Sequence, residues 1–186
     1  MKKSMKLIVL MIIMVMGVVT LTGCGNEAKT EDISSLAVYT ADENMEGYTK
    51  CEAMEGVEFY YPENYTSVGK ATQPAYMDPE IMGASVNLVS EKFPSSFSFE
   101  GYIDASIAGV KQQMTIEGDI NKEYINLNGR KAAKLDYVAT SQGQKMQVEQ
   151  VIILKDDKVF LLTAGSLVAD KDAFAPKMEK IIKSFK

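Results

Sequence analysis

The stretch Asn126-Leu127-Asn128-Gly129-Arg130-Lys131-Ala132-Ala133 decides the fold of this 186-residue chain. Asparagine followed by glycine tolerates positive φ at both central positions of a two-residue turn, and that turn matches the twist of the strands it joins. Lys122 to Leu127 therefore leads into a hairpin and Arg130 to Thr140 leads out of it. In the outgoing strand Ala133, Leu135, Tyr137 and Ala139 alternate with Lys134, Asp136 and Val138, the period of a pleated strand with two unlike faces. Ser141-Gln142-Gly143-Gln144 and Asp156-Asp157 supply two further turns, so four strands follow over 122–127, 130–140, 145–154 and 158–165. The third ends in Val151-Ile152-Ile153-Leu154, apolar on both faces, which requires a sheet covered by helices.

Working outward, two helices are marked. Ser98 is placed to cap the first, with Phe97 and Tyr102 suited to a hydrophobic staple. Ile103, Ile107, Val110 and Met114 then share one face. At the C-terminus Phe174, Met178, Ile181, Ile182 and Phe185 form a second apolar stripe, entered through Asp170 or Asp172. Pro176 belongs in a first helical turn, so the regular helix is expected at or after Asp172. Upstream, Gly56-Val57-Glu58-Phe59-Tyr60-Tyr61-Pro62 reads as a strand with Val57, Phe59 and Tyr61 on one face and Pro62 ending it. Glu63-Asn64 makes a turn, Tyr65 to Lys70 returns antiparallel, and 71–83 is a long surface loop carrying Pro74, Tyr76, Met77, Pro79 and Met82. Residues 84–89 form a strand with Val86 and Leu88 inward.

The N-terminus carries an address. Lys2, Lys3 and Lys6 precede an apolar run from Leu7 to Leu21, shorter than the roughly 20 residues that span a bilayer, and Leu21-Thr22-Gly23-Cys24 follows. That order resembles the lipobox of bacterial lipoproteins. The resemblance implies a signal peptide over 1–23 and a diacylglyceryl group on Cys24, which becomes the first mature residue. Two acyl chains hold a protein stably at a membrane. The expected organisation is then a signal peptide (1–23), a lipid-anchored flexible tether (24–50) and one folded domain (51–186), with Leu36 to Tyr39 a candidate extra strand.

Losing three lysines with the leader takes the formal charge from −5 to −8, which argues against nucleic acid and against adhesion to anionic lipid. Glu43, Glu46, Glu52, Glu55 and Glu58 match no calcium-loop spacing and read as a solvated acidic surface; no metal or cofactor is expected. With Cys24 committed to lipid, Cys51 is a free thiol, read as a small apolar residue beside the first strand. The chain has no histidine, so no imidazole base serves a serine or cysteine nucleophile.

The order of the 56–62 strand, a helix, the Asn-Leu-Asn-Gly-Arg-Lys-Ala-Ala hairpin, a meander and a terminal helix ending Ile181-Ile182-Lys183-Ser184-Phe185 resembles the PsbP-like superfamily across 56–186. That group takes in the extrinsic PsbP proteins of photosystem II, Mog-type Ran-binding factors and DcrB envelope lipoproteins. The resemblance implies an α+β fold, an antiparallel meander flanked by helices in an α/β/α sandwich, and no shared enzymatic activity. A chain without histidine lacks PsbP-type metal contacts, and an exported one never meets Ran. The expected function is a non-catalytic binding or assembly module on the extracytoplasmic face of the cell membrane, partnered by an envelope protein or small ligand. The alternative is a substrate-binding lipoprotein serving a transporter, for which the domain is short. An enzyme would have to draw on carboxylates such as Asp136 and Glu149, read as ordinary exposed charges on neighbouring strands. Tyr60, Tyr65, Tyr76, Met77 and Met82 are the candidate partner surface, since exposed aromatics and methionines anchor interfaces.

Overall fold

A computed structural model describes residues 33–51, 56–141 and 143–186; the leader, Cys24, Glu52, Glu55 and Gln142 lie outside the described residues. The expected meander is its centre. β7 (Thr115–Leu127), β8 (Arg130–Ser141), β9 (Gln144–Lys155) and β10 (Lys158–Leu167) run antiparallel in sequence order. Asn128 and Gly129 both take positive φ, 52° and 84°, which closes the first hairpin at the Leu127–Arg130 pair. β7 begins seven residues earlier than the apolar pattern suggests. Gly118, at φ 73°, relaxes the register between Glu117 and Asn121 in a bulge, so residues 115–117 still pair with β8.

Four more strands, β1 (Ala37–Tyr39), β4 (Thr66–Ser67), β5 (Ala75–Met77) and β6 (Ser85–Lys92), complete the large sheet, in the order β1-β7-β8-β9-β10-β6-β5-β4. β6 (Ser85–Lys92) and β5 (Ala75–Met77) extend it beyond β10, and β4 (Thr66–Ser67) forms that edge. The return of residues 65–70 is thus antiparallel to β5 rather than to the 59–62 strand, and the 71–83 loop contains a strand of its own. The opposite edge is β1 (Ala37–Tyr39), paired parallel to Ile125–Leu127. A separate ribbon joins β2 (Tyr48–Cys51) to β3 (Phe59–Pro62). β1 is the candidate strand expected at Leu36 to Tyr39, and β1 and β2 correct the tether reading of 24–50 at residues 37–39 and 48–51. Polar composition alone marked that stretch as a spacer, but edge pairing satisfies the backbone of residues 37–39 and ribbon pairing that of 48–51, so the folded body begins well before residue 51.

Helices cover both faces. α1 (Phe99–Gln113) is capped by Ser98, whose Oγ accepts from the Gly101 amide at 3.1 Å, and Ile103 and Val110 are fully buried. It packs with Ala133, Leu135, Tyr137, Val148, Ile152 and Leu161. α2 (Lys171–Lys183), reached through a single 3₁₀ turn at Val168–Asp170, buries Phe174, Met178, Ile181 and Ile182 on the other face against Leu162, Ile153, Phe59 and Leu88. It starts before Asp172, leaving Pro176 as its sixth residue; that proline is exposed, so the carbonyl it cannot bond is free to face water.

The segment at 39–41 and the C-terminal residues are clasped at one corner. The Asn128 Oδ1 accepts from the Ala41 amide at 2.9 Å, and its Nδ2 donates to the carbonyls of Lys183 at 2.8 Å and Phe185 at 2.9 Å. Glu58 and Lys186 exchange two backbone hydrogen bonds, and the Tyr60 amide donates to the Ser184 Oγ at 2.8 Å.

Candidate functional site

Period-2 alternation in β3 sends Phe59 and Tyr61 toward the α2 face, where β5 presents Tyr76. Tyr61 and Tyr76 stack with ring centroids 3.7 Å apart, and Phe59 meets Tyr76 edge-on at 6.2 Å. The Tyr76 hydroxyl donates to the Cys51 Sγ at 3.4 Å, and Cys51 is itself buried, as a small apolar residue on the ribbon.

Beside this cluster the 78–83 segment is folded around one carboxylate. Asp78 accepts from the amides of Glu80 at 2.8 Å and Ile81 at 3.1 Å, which closes the turn, and pairs with Lys177 of α2 at 2.8 Å. Its side chain is fully buried. Burial pushes its acidity toward the neutral form, but the Lys177 ammonium and the two amides outweigh that and hold it below the usual carboxylate range. Lys177 also lies 5.9 Å from the centre of the Tyr65 ring, and Glu80 is 3.5 Å from its Nζ. The turn so fixed holds Met82 out in solvent, 68% exposed.

The expected surface residues are thus divided. Met82 is exposed and Met77 half-buried, but Tyr76 and Tyr65 are core residues, 8% and 7% exposed. Both lie in the layer that α2 covers, so they stiffen the corner from beneath instead of offering contacts. Tyr60 points away from the aromatic stack because its neighbours in β3 face inward; the member that meets Tyr76 is Tyr61. Asp78 and Lys177 were not singled out as site residues, since ninety-nine positions separate them and no local pattern joins them. Val68, 38% exposed beside β4, belongs to the same end of the sheet as Met82, while Val38, 67% exposed on β1, marks the far edge.

Burial raises the phenols of Tyr65, Tyr76 and Tyr102 far above their ordinary range, and that of Tyr137 to about 12, so each stays protonated at neutral pH and none serves there as a base. Asp136 and Glu149 stand directly opposite each other on β8 and β9. They are not exposed charges, as expected, but half-buried. Glu149 pairs with Lys134 at 3.1 Å and Asp136 accepts from the Gln147 amide group. Burial lifts Glu149 above the carboxylate range, with Lys134 opposing it. Among the described residues no group of three or more acidic or cysteine side chains is arranged to hold a metal, and no helix is long and apolar enough to cross a membrane.

An eight-stranded, mostly antiparallel sheet between two helices, with a two-stranded ribbon against one face, defines an α+β sandwich. The chain belongs to the PsbP-like protein family, whose model matches residues 6–186. Similar solved structures include cyanobacterial PsbP (CyanoP) from Synechocystis sp. PCC 6803, at 14% identity and TM-score 0.54, covering 70% of this chain and 86% of that one. LpqN of Mycobacterium tuberculosis, described as involved in cell envelope biogenesis, is 14% identical with TM-score 0.51, covering 70% and 82%. The Saccharomyces cerevisiae Ran-binding protein Mog1p is 9% identical with TM-score 0.53, covering 75% and 94%. At these identities the likeness is one of fold. No curated protein sequence matches the chain.

Proposed function

We propose that this protein is a lipid-anchored, extracytoplasmic module of the cell envelope that binds or assembles with another envelope protein and performs no catalysis. The carrying observation is the order along the chain: lysines, an apolar run, Leu21-Thr22-Gly23-Cys24, and a sheet strand that starts at Ala37, thirteen residues past the cysteine. A fully extended chain covers at most about 3.3–3.6 Å per residue, so β1 stands within about 45 Å of a bilayer that holds Cys24. Met82 lies across the sheet, about six strand spacings of about 4.8 Å from β1, so a partner met there lies within about 75 Å of that bilayer. Met82, on the turn held by the Asp78–Lys177 pair and backed by the buried aromatics, supplies an exposed apolar side chain on a rigid support. LpqN, a protein involved in cell envelope biogenesis, offers a precedent for this fold in an envelope setting.

Cells fed an alkyne analogue of palmitate test the anchor: the protein labels and sediments with membranes, and Cys24→Ser abolishes both. Equal labelling of the Cys24→Ser variant would refute the anchor. A photocrosslinking residue at position 82 tests the surface, with position 111, on the exposed end of α1, as control. Capture of the same membrane-associated protein at 82 and not at 111 is the expected result; indistinguishable yields from the two positions refute the assignment of this corner.

A further inference from the structure

The geometry points to Asn128 as a modification site, an asparagine whose deamidation is blocked while the corner is closed and which, once converted, prevents that corner from closing again. Asn128 precedes Gly129, and glycine leaves the following backbone nitrogen sterically free to reach the side-chain carbonyl. The reaction needs nothing but water. The Gly129 nitrogen attacks the Asn128 Cγ and loses its proton, the Cγ–Nδ2 bond breaks and the nitrogen leaves as ammonia, and a five-membered imide remains. Water then opens the imide at either carbonyl, leaving aspartate or isoaspartate.

In the closed molecule both reacting groups are engaged. The nucleophilic Gly129 nitrogen donates to the Asn126 Oδ1 at 2.9 Å. The Asn128 carboxamide is held from three directions, by the Ala41 amide and by the carbonyls of Lys183 and Phe185. The Asn128 backbone amide is tied as well, donating to the Tyr39 carbonyl at 2.9 Å. Attack on Cγ requires the carboxamide to rotate out of all three contacts, so the arm at 39–41 and the terminal segment at 183–185 must first part from the turn. The rate of conversion then reads the frequency of that opening.

The product does not refit. Where Nδ2 donated to two carbonyls, aspartate places a charged acceptor oxygen against the same two acceptors, and isoaspartate adds a backbone methylene within the turn. The two donors become acceptors, so the hold on the Lys183 and Phe185 carbonyls is lost, while an aspartate oxygen still accepts from the Ala41 amide. Only an asparagine carboxamide, accepting from Ala41 and donating twice to the C-terminal carbonyls, satisfies this corner at positive φ.

The test follows ammonia release and peptide masses during incubation of the purified protein in mildly alkaline buffer, beside a synthetic peptide spanning 124–132. Conversion in the folded protein is expected to be at least about 100-fold slower than in the peptide, the factor equivalent to about 2.7 kcal/mol of opening, and to approach the peptide rate in denaturing urea. In Asn128→Asp, amide exchange is expected to accelerate at 183–186 while 39–41 and α1 keep their protection. Should that variant fail to fold, wild-type material aged until half converted carries the same exchange comparison. Equal rates in folded protein and peptide overturn the gate. Unchanged exchange at 183–186 after conversion overturns the loss of the clasp.

Discussion

Replacing Lys177 by methionine removes an ammonium while keeping most of the stem that lies beside Tyr65, and it tests whether the Asp78 turn depends on that charge. Breaking a buried ion pair from one side costs about 3–5 kcal/mol, because the remaining charge is stranded. Here the figure falls below that range. Asp78 keeps two backbone amides, and Lys177 is 27% exposed, so about 2–3 kcal/mol is expected. For a domain of this size that lowers the melting temperature by about 5–10 °C. The pH dependence carries the sign. Asp78 is held below its unfolded value in the wild type, so its contribution is fully present above that value, about 3.9, and is lost as pH falls through the lower folded value. In Lys177→Met burial acts with less opposition, the carboxyl shifts upward, and the variant regains relative stability as acid protonates it. Thermal or urea melts from neutral pH down to about pH 3 should therefore show the gap between the two proteins narrowing. Asp78→Asn combined with Lys177→Met should recover part of the loss, since no buried charge remains. A variant as stable as wild type at neutral pH, or a gap that is constant down to acid, would refute the reasoning.

Three further outcomes are expected. Ser98→Ala removes the hydroxyl that accepts from the Gly101 amide and should cost about 1 kcal/mol in urea melts, with Ser98→Gly milder. Pro176→Ala restores a donor in the exposed sixth position of α2 and should stabilise by about 1–2 kcal/mol, the gain in helix propensity being partly offset by a freer unfolded chain; a destabilised variant would show that the ring packs usefully. Phe174→Ala empties a fully buried position between α2 and the sheet and should cost about 3–5 kcal/mol by calorimetry; a loss below about 1 kcal/mol would mean that the α2 layer closes over the gap.

Much of the central architecture was legible residue by residue. The Asn128-Gly129 turn, the pattern Ala133, Leu135, Tyr137, Ala139 and the Ser98 cap each depend on atoms within a few positions of one another, so side-chain chemistry and periodicity suffice to read them. The candidate site was read less well. Tyr65 and Tyr76 look like surface aromatics in a proline-bearing loop, yet β5 joins the sheet and α2 covers its face, so both are buried. Tyr60 and Tyr61 are both half-buried, but one position in a strand changes the face, and only Tyr61 meets Tyr76.

The amino-acid sequence by itself determined the turns, the helix stripes and the α+β order of elements, because these are local consequences of backbone preference and of apolar spacing. Tertiary structure alone decided that residues 37–39 pair with 125–127, that Lys177 settles on Asp78, and that Asn128 ties the arm at Ala41 to the C-terminal carbonyls. Each of those contacts joins groups from 87 to 99 positions apart, or 55 and 57 in the case of Asn128 with Lys183 and Phe185, where the partner is chosen by which surfaces the packed layers bring within hydrogen-bonding distance.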